Sequence, residues 1–454
     1  MLNYRIPAMR RALLATALLG GGLIAAVPTA AQTAPADPPR VGLWERDALL
    51  GDLGGVRPAL AAWGLTFGLS ETSEVLGNVS GGLRRGAVYE GATLMSVTLD
   101  TGQRLGIPDG TFMVSAYQIH GHGLSTDNIG NLNVASGIEG PRSTRLFELW
   151  YEQALLDGQL AIRVGQQAAD SEFAVAGHAG VFINAGFGWP TLSAADLPGG
   201  GPAYPTATPG VRVKWQATDQ VAALLGVYNG DPADNGDGTA FRLNKGVFVI
   251  GELQYARPKE AGLPGTYKIG AWYNSNAFAD QRYGADGLSL ANPASIGTPL
   301  SHRNNWSVYA VLDQMLYRAP GSEDGGLAVF ARIAGAPGDR NAVDLFLNAG
   351  LTYKGLVPGR ADDTAGIGVV YARVSRRAAG LDSDTGFYSG GWYPVRGSET
   401  AVELTYQAQV APWWVVQPDL QYVFNPGGGL PDPNRPGRRI GGAAILGLRT
   451  VVTF

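Results

Sequence analysis

The chain has 454 residues, 45% of them hydrophobic and only 16% charged, with 66 glycines, 28 prolines, no cysteine and a formal net charge of −4. The charged fraction falls well below the roughly 25% of an ordinary soluble domain. The lack of cysteine excludes disulfide frameworks, thiolate metal sites and a cysteine nucleophile, and the mildly acidic balance with no basic face argues against nucleic acid as a partner.

Taken in chain order, Arg5, Arg10 and Arg11 precede the apolar run ALLATALLGGGLIAAV (12–27), and PTAA then supplies small residues for cleavage after Ala31. This is the build of a secretory signal peptide over 1–31; the run is short for a membrane anchor, which needs about 20 residues. No later segment reaches 18 consecutive apolar residues, so no transmembrane helix is expected in the mature chain. Residues 32–63 read as an N-terminal periplasmic segment. QTAPADPPR (32–40) is a proline-rich lead-in, and LLGDLGGVRPALAAWG (49–64) holds a short helix with Pro58 in its first turn and Gly64 at its end; an unstructured leader is the alternative.

From residue 64 onward the sequence alternates with period two. In ETAVELTYQAQV (399–410), Val402, Leu404, Tyr406 and Val410 share one side and Glu399, Glu403, Gln407 and Gln409 the other. Leu345, Leu347, Leu351 and Tyr353 similarly oppose Asn348, Thr352 and Lys354. Sixteen strands are expected, at 64–76, 86–100, 111–122, 143–156, 159–167, 208–216, 220–229, 244–256, 265–275, 303–315, 326–334, 341–354, 363–374, 398–410, 414–424 and 439–454. The connections after odd-numbered strands are mostly long (77–85, 123–142, 168–207, 230–243, 276–302, 335–340, 375–397, 425–438). Those between are mostly short, including an Asp157-Gly158 hairpin turn.

Soluble sandwiches also alternate, but they have no reason to sort long loops to one end or to line their other face with Glu, Arg, Lys and Gln. The fold class that meets both features is all-β, a transmembrane antiparallel barrel of 16 strands, of outer-membrane porin type, over 64–454. Aromatic residues near strand ends match the two membrane interfaces, and the location is the bacterial outer membrane.

The connection 168–207, about forty residues, is long for a loop without structure of its own. It carries Phe187, Trp189, Pro190 and Tyr204, which favours folding into the barrel over packing across its rim. Strand parity places Glu90, Glu148, Trp150, Glu152, Arg163 and Arg212 toward the lumen, with Phe147, Leu149 and Tyr151 toward lipid and Arg84 and Arg85 at the adjoining loop. Opposed guanidinium and carboxylate groups suit sugar hydroxyls, which donate and accept. The ring of Trp150 or Trp189 could carry the flat face of a pyranose. The alternative is that these charges only keep the lumen wet. His120 and His122 share one strand face with no third ligand in view and read as a rim pair. No GxSxG, HExxH or P-loop occurs; no enzyme activity, metal or cofactor is expected.

Several long blocks also resemble the carbohydrate-selective porins of the OprB family: LLGDLGGVRPALAAWGL, EVLGNVSGGLRRGAVYEG, VSAYQIHGHGLS, TRLFELWYEQ, IRVGQQAADSEF and GPAYPTATPGVRVKW. The similarity runs in order over roughly 43–454 and is densest from 49 to 231. It implies facilitated diffusion of glucose and other small sugars past a constriction lined by Arg and Glu. Matching positions are Arg84, Arg85, Glu90, Arg145, Glu148, Glu152, Arg163 and Arg212. A general porin, a channel for sugar acids, and a plugged barrel acting as enzyme or adhesin are the competing readings. Expected partners are small sugars, outer-membrane lipid and the barrel-assembly machinery, the last through the final strand ILGLRTVVTF with its terminal Phe454 on the lipid side. Monomer and trimer are both left open.

Overall fold

The computed structural model describes residues 42–232 and 236–454; the signal peptide expected at 1–31 and the lead-in at 32–40 lie outside the described residues. Sixteen strands follow in order: Leu65–Gly82 (β1), Gly86–Asp100 (β2), Gly110–Gly121 (β3), Ser143–Leu155 (β4), Leu160–Gln167 (β5), Thr208–Gln216 (β6), Val221–Asn229 (β7), Val247–Ala256 (β8), Gly265–Gly284 (β9), Pro299–Arg318 (β10), Gly326–Gly335 (β11), Val343–Lys354 (β12), Thr364–Val374 (β13), Ser398–Ala411 (β14), Trp414–Phe424 (β15) and Gly441–Thr453 (β16). Each pairs antiparallel with the next, and β16 returns to β1 to close a barrel. Closure leaves no open ladder, the condition for a sheet to cross hydrocarbon.

At the seam, Leu448 lies opposite Val75 on the outside and Arg449 opposite Glu74 on the inside, where the arginine Nε donates to Oε1 at 2.5 Å. The Phe454 N–H donates to the Leu69 carbonyl at 2.9 Å. Alternation fixes the two faces elsewhere. Ile367, Leu404 and Leu420 are register neighbours on β13, β14 and β15 and are all exposed outward. Their chain neighbours Glu403, Gln421 and Asp419 are buried within. Exposed aromatic residues mark both rims of the outward band: Trp215, Tyr255, Tyr267 and Tyr317 near the short turns, and Tyr89, Tyr273, Trp306 and Phe424 near the long loops.

The long connections 122–142, 168–207, 230–246, 375–397 and 425–440 leave from one end; 101–109, 156–159, 217–220 and 412–413 turn back at the other. The first connection corrects the expectation of a loop over 77–85, because β1 continues to Gly82 and only 83–85 turn. Its upper half, GNVSGG, is glycine-rich and bulged at Asn78/Ser80, which hides the alternation. Strands β9 and β10 also run past their expected ends, to Gly284 and from Pro299, paired with each other across polar residues such as Asp280 and His302. Among the described residues no helix is long and apolar enough to cross a membrane.

Residues 42–64 lie against the short-turn end of the seam. A helix, Val56–Ala61, has Pro58 in its first turn, and Gly64 follows at φ 80°. Leu49 donates to the Thr453 carbonyl, and Arg57 donates to the carbonyls of Phe67 and Phe454. Trp44 stacks on Trp413, whose Nε1 donates to the Leu43 carbonyl at 2.8 Å.

Candidate functional site

The site begins where the wall is lowest. Strands β5 and β6 have 8 and 9 residues, and residues 168–207 leave and return between them. This loop lies inside the barrel. Its Phe173, Phe182, Phe187, Leu192 and Leu197 form one buried cluster with Phe248, Ile250, Trp272, Phe330 and Phe346, which point inward from β8, β9, β11 and β12. Phe182 and Phe187 stack with centroids 4.2 Å apart and fill space left by two glycines on β13. A Cβ at Gly368 would lie 2.6 Å from Phe187, and one at Gly366 3.0 Å from Phe182. Gly368→Val should therefore push the loop off the wall and destabilise the protein by about 1–3 kcal/mol. A thermal unfolding midpoint unchanged from the parent would count against this packing.

Polar side chains on the same wall hold the loop by its backbone. Glu252 accepts from the Ala174 N–H at 2.7 Å, and Glu403 accepts from Ile183 and Asn184 at 2.6 and 2.9 Å. Gln417 donates to the Val181 carbonyl at 2.6 Å. Asp313 accepts from the His178 N–H at 2.9 Å and also meets its Nδ1. Arg332 is buried and donates to the carbonyls of Ala174, Gly186, Phe187 and Gly188 and to Asn348 Oδ1. Residues 122–142 are also drawn in, which the sequence did not suggest. Glu399 accepts from Leu132 and Asn133, each at 2.7 Å, Gln421 donates to the Ala135 carbonyl, and Leu124, Ile129 and Ala135 pack on Leu76, Val423 and Ile445. On the inserted 168–207 loop, burial pushes the Asp170 carboxyl up to about 7 and the Asp196 carboxyl up to about 8, against the pull of backbone amides that each accepts from.

At the loop's root four charges meet. Arg163 contacts Glu152 at 2.9 Å and Glu172 at 3.2 Å; Arg212 contacts the same two carboxylates, each at 2.6 Å. Parity identified Arg163, Arg212 and Glu152. Glu172 was missed because it lies on the loop, where alternation assigns no face. Two cations and two anions balance, so the array carries no net charge. The carboxylates are the more open partners, with 14% and 24% of their side chains exposed against 8% and 2% for the guanidinium groups.

The other residues singled out in the sequence are placed differently. The Trp150 ring is not an open platform: the Arg163 guanidinium lies 4.0 Å above it and the residue is buried. Trp189 is partly buried on the loop's aromatic cluster, its Nε1 donating to the Gly200 carbonyl at 3.0 Å. Glu148 accepts from the Ala168 N–H at 3.0 Å and so holds the loop's first residue. Arg145 donates to Thr206 at the loop's other end. Phe147, expected to face lipid, is buried against Tyr117, Tyr204, Ala168 and Ala207. The reason is a bulge: Glu148 pairs with Ser115 but Leu146 with Ala116, so Phe147 is an extra residue and the face assignment shifts on its N-terminal, long-loop side. Gln166 fills the interrupted ladder by donating to the Phe147 and Gly238 carbonyls. Glu90 stands apart, near Glu74 and Arg449, with no hydrogen-bond partner on either carboxyl oxygen among the described residues. Arg84 and Arg85 are exposed in the turn after β1. His120 lies on β3 and His122 beyond its end. Among the described residues no group of three His, Cys, Asp or Glu could hold a metal ion.

Comparison with known proteins bears on this architecture directly. Residues 84–454 match the family model described as carbohydrate-selective porin, OprB family. The chain belongs to that family. This porin is 28% identical to Porin B of Pseudomonas aeruginosa over 421 residues, covering 84% of this chain and 87% of that one. It superposes on the high-pH structure of Pseudomonas putida OprB with a TM-score of 0.82 at 25% identity, covering 90% of this chain and 99% of the other. The porin is thus a bacterial outer-membrane protein: the short-turn end faces the periplasm, the long-loop end the exterior, and the outward aliphatic band meets lipid.

Proposed function

We propose that this porin passes small neutral sugars by facilitated diffusion, and that the selective point is the balanced array of Arg163, Arg212, Glu152 and Glu172 where the inserted loop meets the wall. The observation that carries the reading is the combination of zero net charge with partly open carboxylates. A hydroxylated solute can donate to the free lone pairs of Glu152 and Glu172 while neither a lone cation nor a lone anion gains a dominant field. The bulk of the loop is held by its backbone from β8, β10, β11, β14 and β15, and its root from β4. Passive flow needs no enzymatic step.

Liposome swelling with purified protein tests this. Glucose should enter faster than a neutral non-sugar solute of equal size, and faster than glucuronate; equal rates for all three would sink the sugar reading and leave a general porin. Lys214, exposed two residues from Arg212 on the same face of β6, favours a second reading in which small anionic solutes also pass. Glu152→Gln leaves two guanidinium groups facing one carboxylate. Its reversal potential in a salt gradient should shift toward anions and its sugar flux should fall; parent-like values for both would remove Glu152 from the constriction.

A further inference from the structure

Residues 42–64 are fastened to the barrel by their backbone and by one arginine. The Leu49 N–H donates to the Thr453 carbonyl at 2.8 Å, Trp413 Nε1 donates to the Leu43 carbonyl at 2.8 Å, and Arg57 donates to the carbonyls of Phe67 and Phe454. None of these bonds uses the segment's large apolar side chains. Trp44, Leu50, Leu53, Val56 and Trp63 are all exposed, the two tryptophans at 60% and 57%. The turn between β2 and β3 adds exposed Leu105 and Ile107, and Arg104 of the same turn lies 4.1 Å over the Trp63 ring. Single exposed apolar residues are ordinary, but such a concentration on one segment and the turn beside it is not. Turn 319–325, across the barrel, presents Glu323 and Asp324 instead.

The wall shows what this surface meets. On β15, Trp414 shares its outward face with Leu420 and Tyr422, and it pairs with Val452, which shares a face with Leu446 and Leu448 on β16. Trp414 therefore belongs to the lipid-facing band, at its periplasmic edge. Its ring stacks on Trp413, with centroids 5.7 Å apart and planes 12° apart; Trp413 stacks in turn on Trp44 at 6.2 Å and 28°. The three rings form one unbroken stack from the lipid-facing wall to the segment. A bilayer's polar layer is roughly 5–8 Å deep on each side of the hydrocarbon. One ring-to-ring step is about that depth, so a segment joined to the band in this way stands at the level of the headgroups. Tryptophan favours that layer because its ring is apolar and its N–H is polar.

We infer that residues 42–64 lie in the headgroup layer of the periplasmic leaflet, with Trp44, Leu50, Leu53, Val56 and Trp63 set among phospholipids. Lipid is the occupant because the apolar surface continues, through Trp414, Trp413 and Trp44, the band that already meets lipid. The segment has no core of its own to hide these side chains: within it only Ala48 and Gly64 are buried. An apolar face held flat at the interface by tryptophan is the build of an element that lies on a membrane without crossing it. The same segment bonds the carbonyls of Thr453 and Phe454, so its lipid contact straps the last strand where the barrel closes.

The chain has no cysteine, so single cysteines can carry a bimane label at chosen positions. Leu50→Cys and Val56→Cys, labelled and reconstituted in phosphatidylcholine vesicles, should lose fluorescence to a phosphatidylcholine with a nitroxide on its headgroup and lose little to iodide in the buffer. Glu323→Cys, in the charged turn across the barrel, should show the reverse order. Heat-modifiable mobility and conductance like the parent's confirm that each labelled barrel is folded. Labels at positions 50 and 56 that respond as the one at 323 does overturn the proposal and leave the segment to water or to a protein absent from the vesicles. A two-chain product of Leu50→Cys with a short bismaleimide, persisting at high lipid-to-protein ratio, also overturns it and assigns the surface to a second copy.

Discussion

Planar-bilayer recordings of an Arg332→Ala variant should show larger and noisier single-channel currents than the parent. Arg332 is buried on β11 and donates to four loop carbonyls, those of Ala174 and Gly186 at 2.9 Å, Phe187 at 2.6 Å and Gly188 at 2.5 Å, and to Asn348 at 3.2 Å. Its planar fork is suited to several acceptors at once. Removing it strands acceptors that each cost about 1–3 kcal/mol when buried and unpaired. Water entering the lumen would recover part of that, and the easiest way to admit water is to let the loop leave the wall. Arg332→Lys, with three donors on one nitrogen, should fall between parent and alanine variant. Parent-like conductance in both would mean that the aromatic cluster and the remaining backbone anchors hold the loop without Arg332.

Leu404→Arg should lower stability by about 2–4 kcal/mol, measured by reversible urea unfolding in lipid vesicles. Leu404 lies in the middle of β14, pairs with Ile367 and Leu420, and is 53% exposed. An arginine there must either be desolvated or carry water and headgroups into the band. The adjacent residue Glu403 faces the opposite way and is buried, which makes the position a sharp test of register. No loss of stability at 404 would place this row outside the hydrocarbon.

Much of the barrel was legible because a sheet in lipid enforces period two over many strands, and because loop lengths sort by end. The strand limits that drifted, at the tops of β1, β9 and β10, lie beyond the lipid band, where both faces are polar or glycine-rich and alternation has no cause. Phe147 was misassigned because a single inserted residue reverses every face beyond it, and a bulge leaves no mark in hydropathy. The lumen charges were seen as a class, but their partners were not. Glu399 reaches Leu132 and Asn133, and Glu403 reaches Ile183 and Asn184; alternation gives a side chain its face but not what comes to meet it across two hundred residues. One signal was available and unused. Stretches such as VAALLGVY and VFVI are apolar on both faces, the pattern of a strand covered on two sides, and these strands carry Leu224, Tyr228, Phe248 and Ile250 against the inserted loop.

The anchors described above share a property with evolutionary weight. Glu252, Glu403, Arg332 and Gln417 grip peptide N–H and C=O groups, which every amino acid except proline supplies in full, and touch almost none of the loop's own side chains. Docking and lining are therefore written in separate places. Residues of the loop in the proposed selective array, such as Glu172, are free to change while the grip persists, so one scaffold can be re-tuned to a different cargo by a handful of codons without relearning how to hold its own loop.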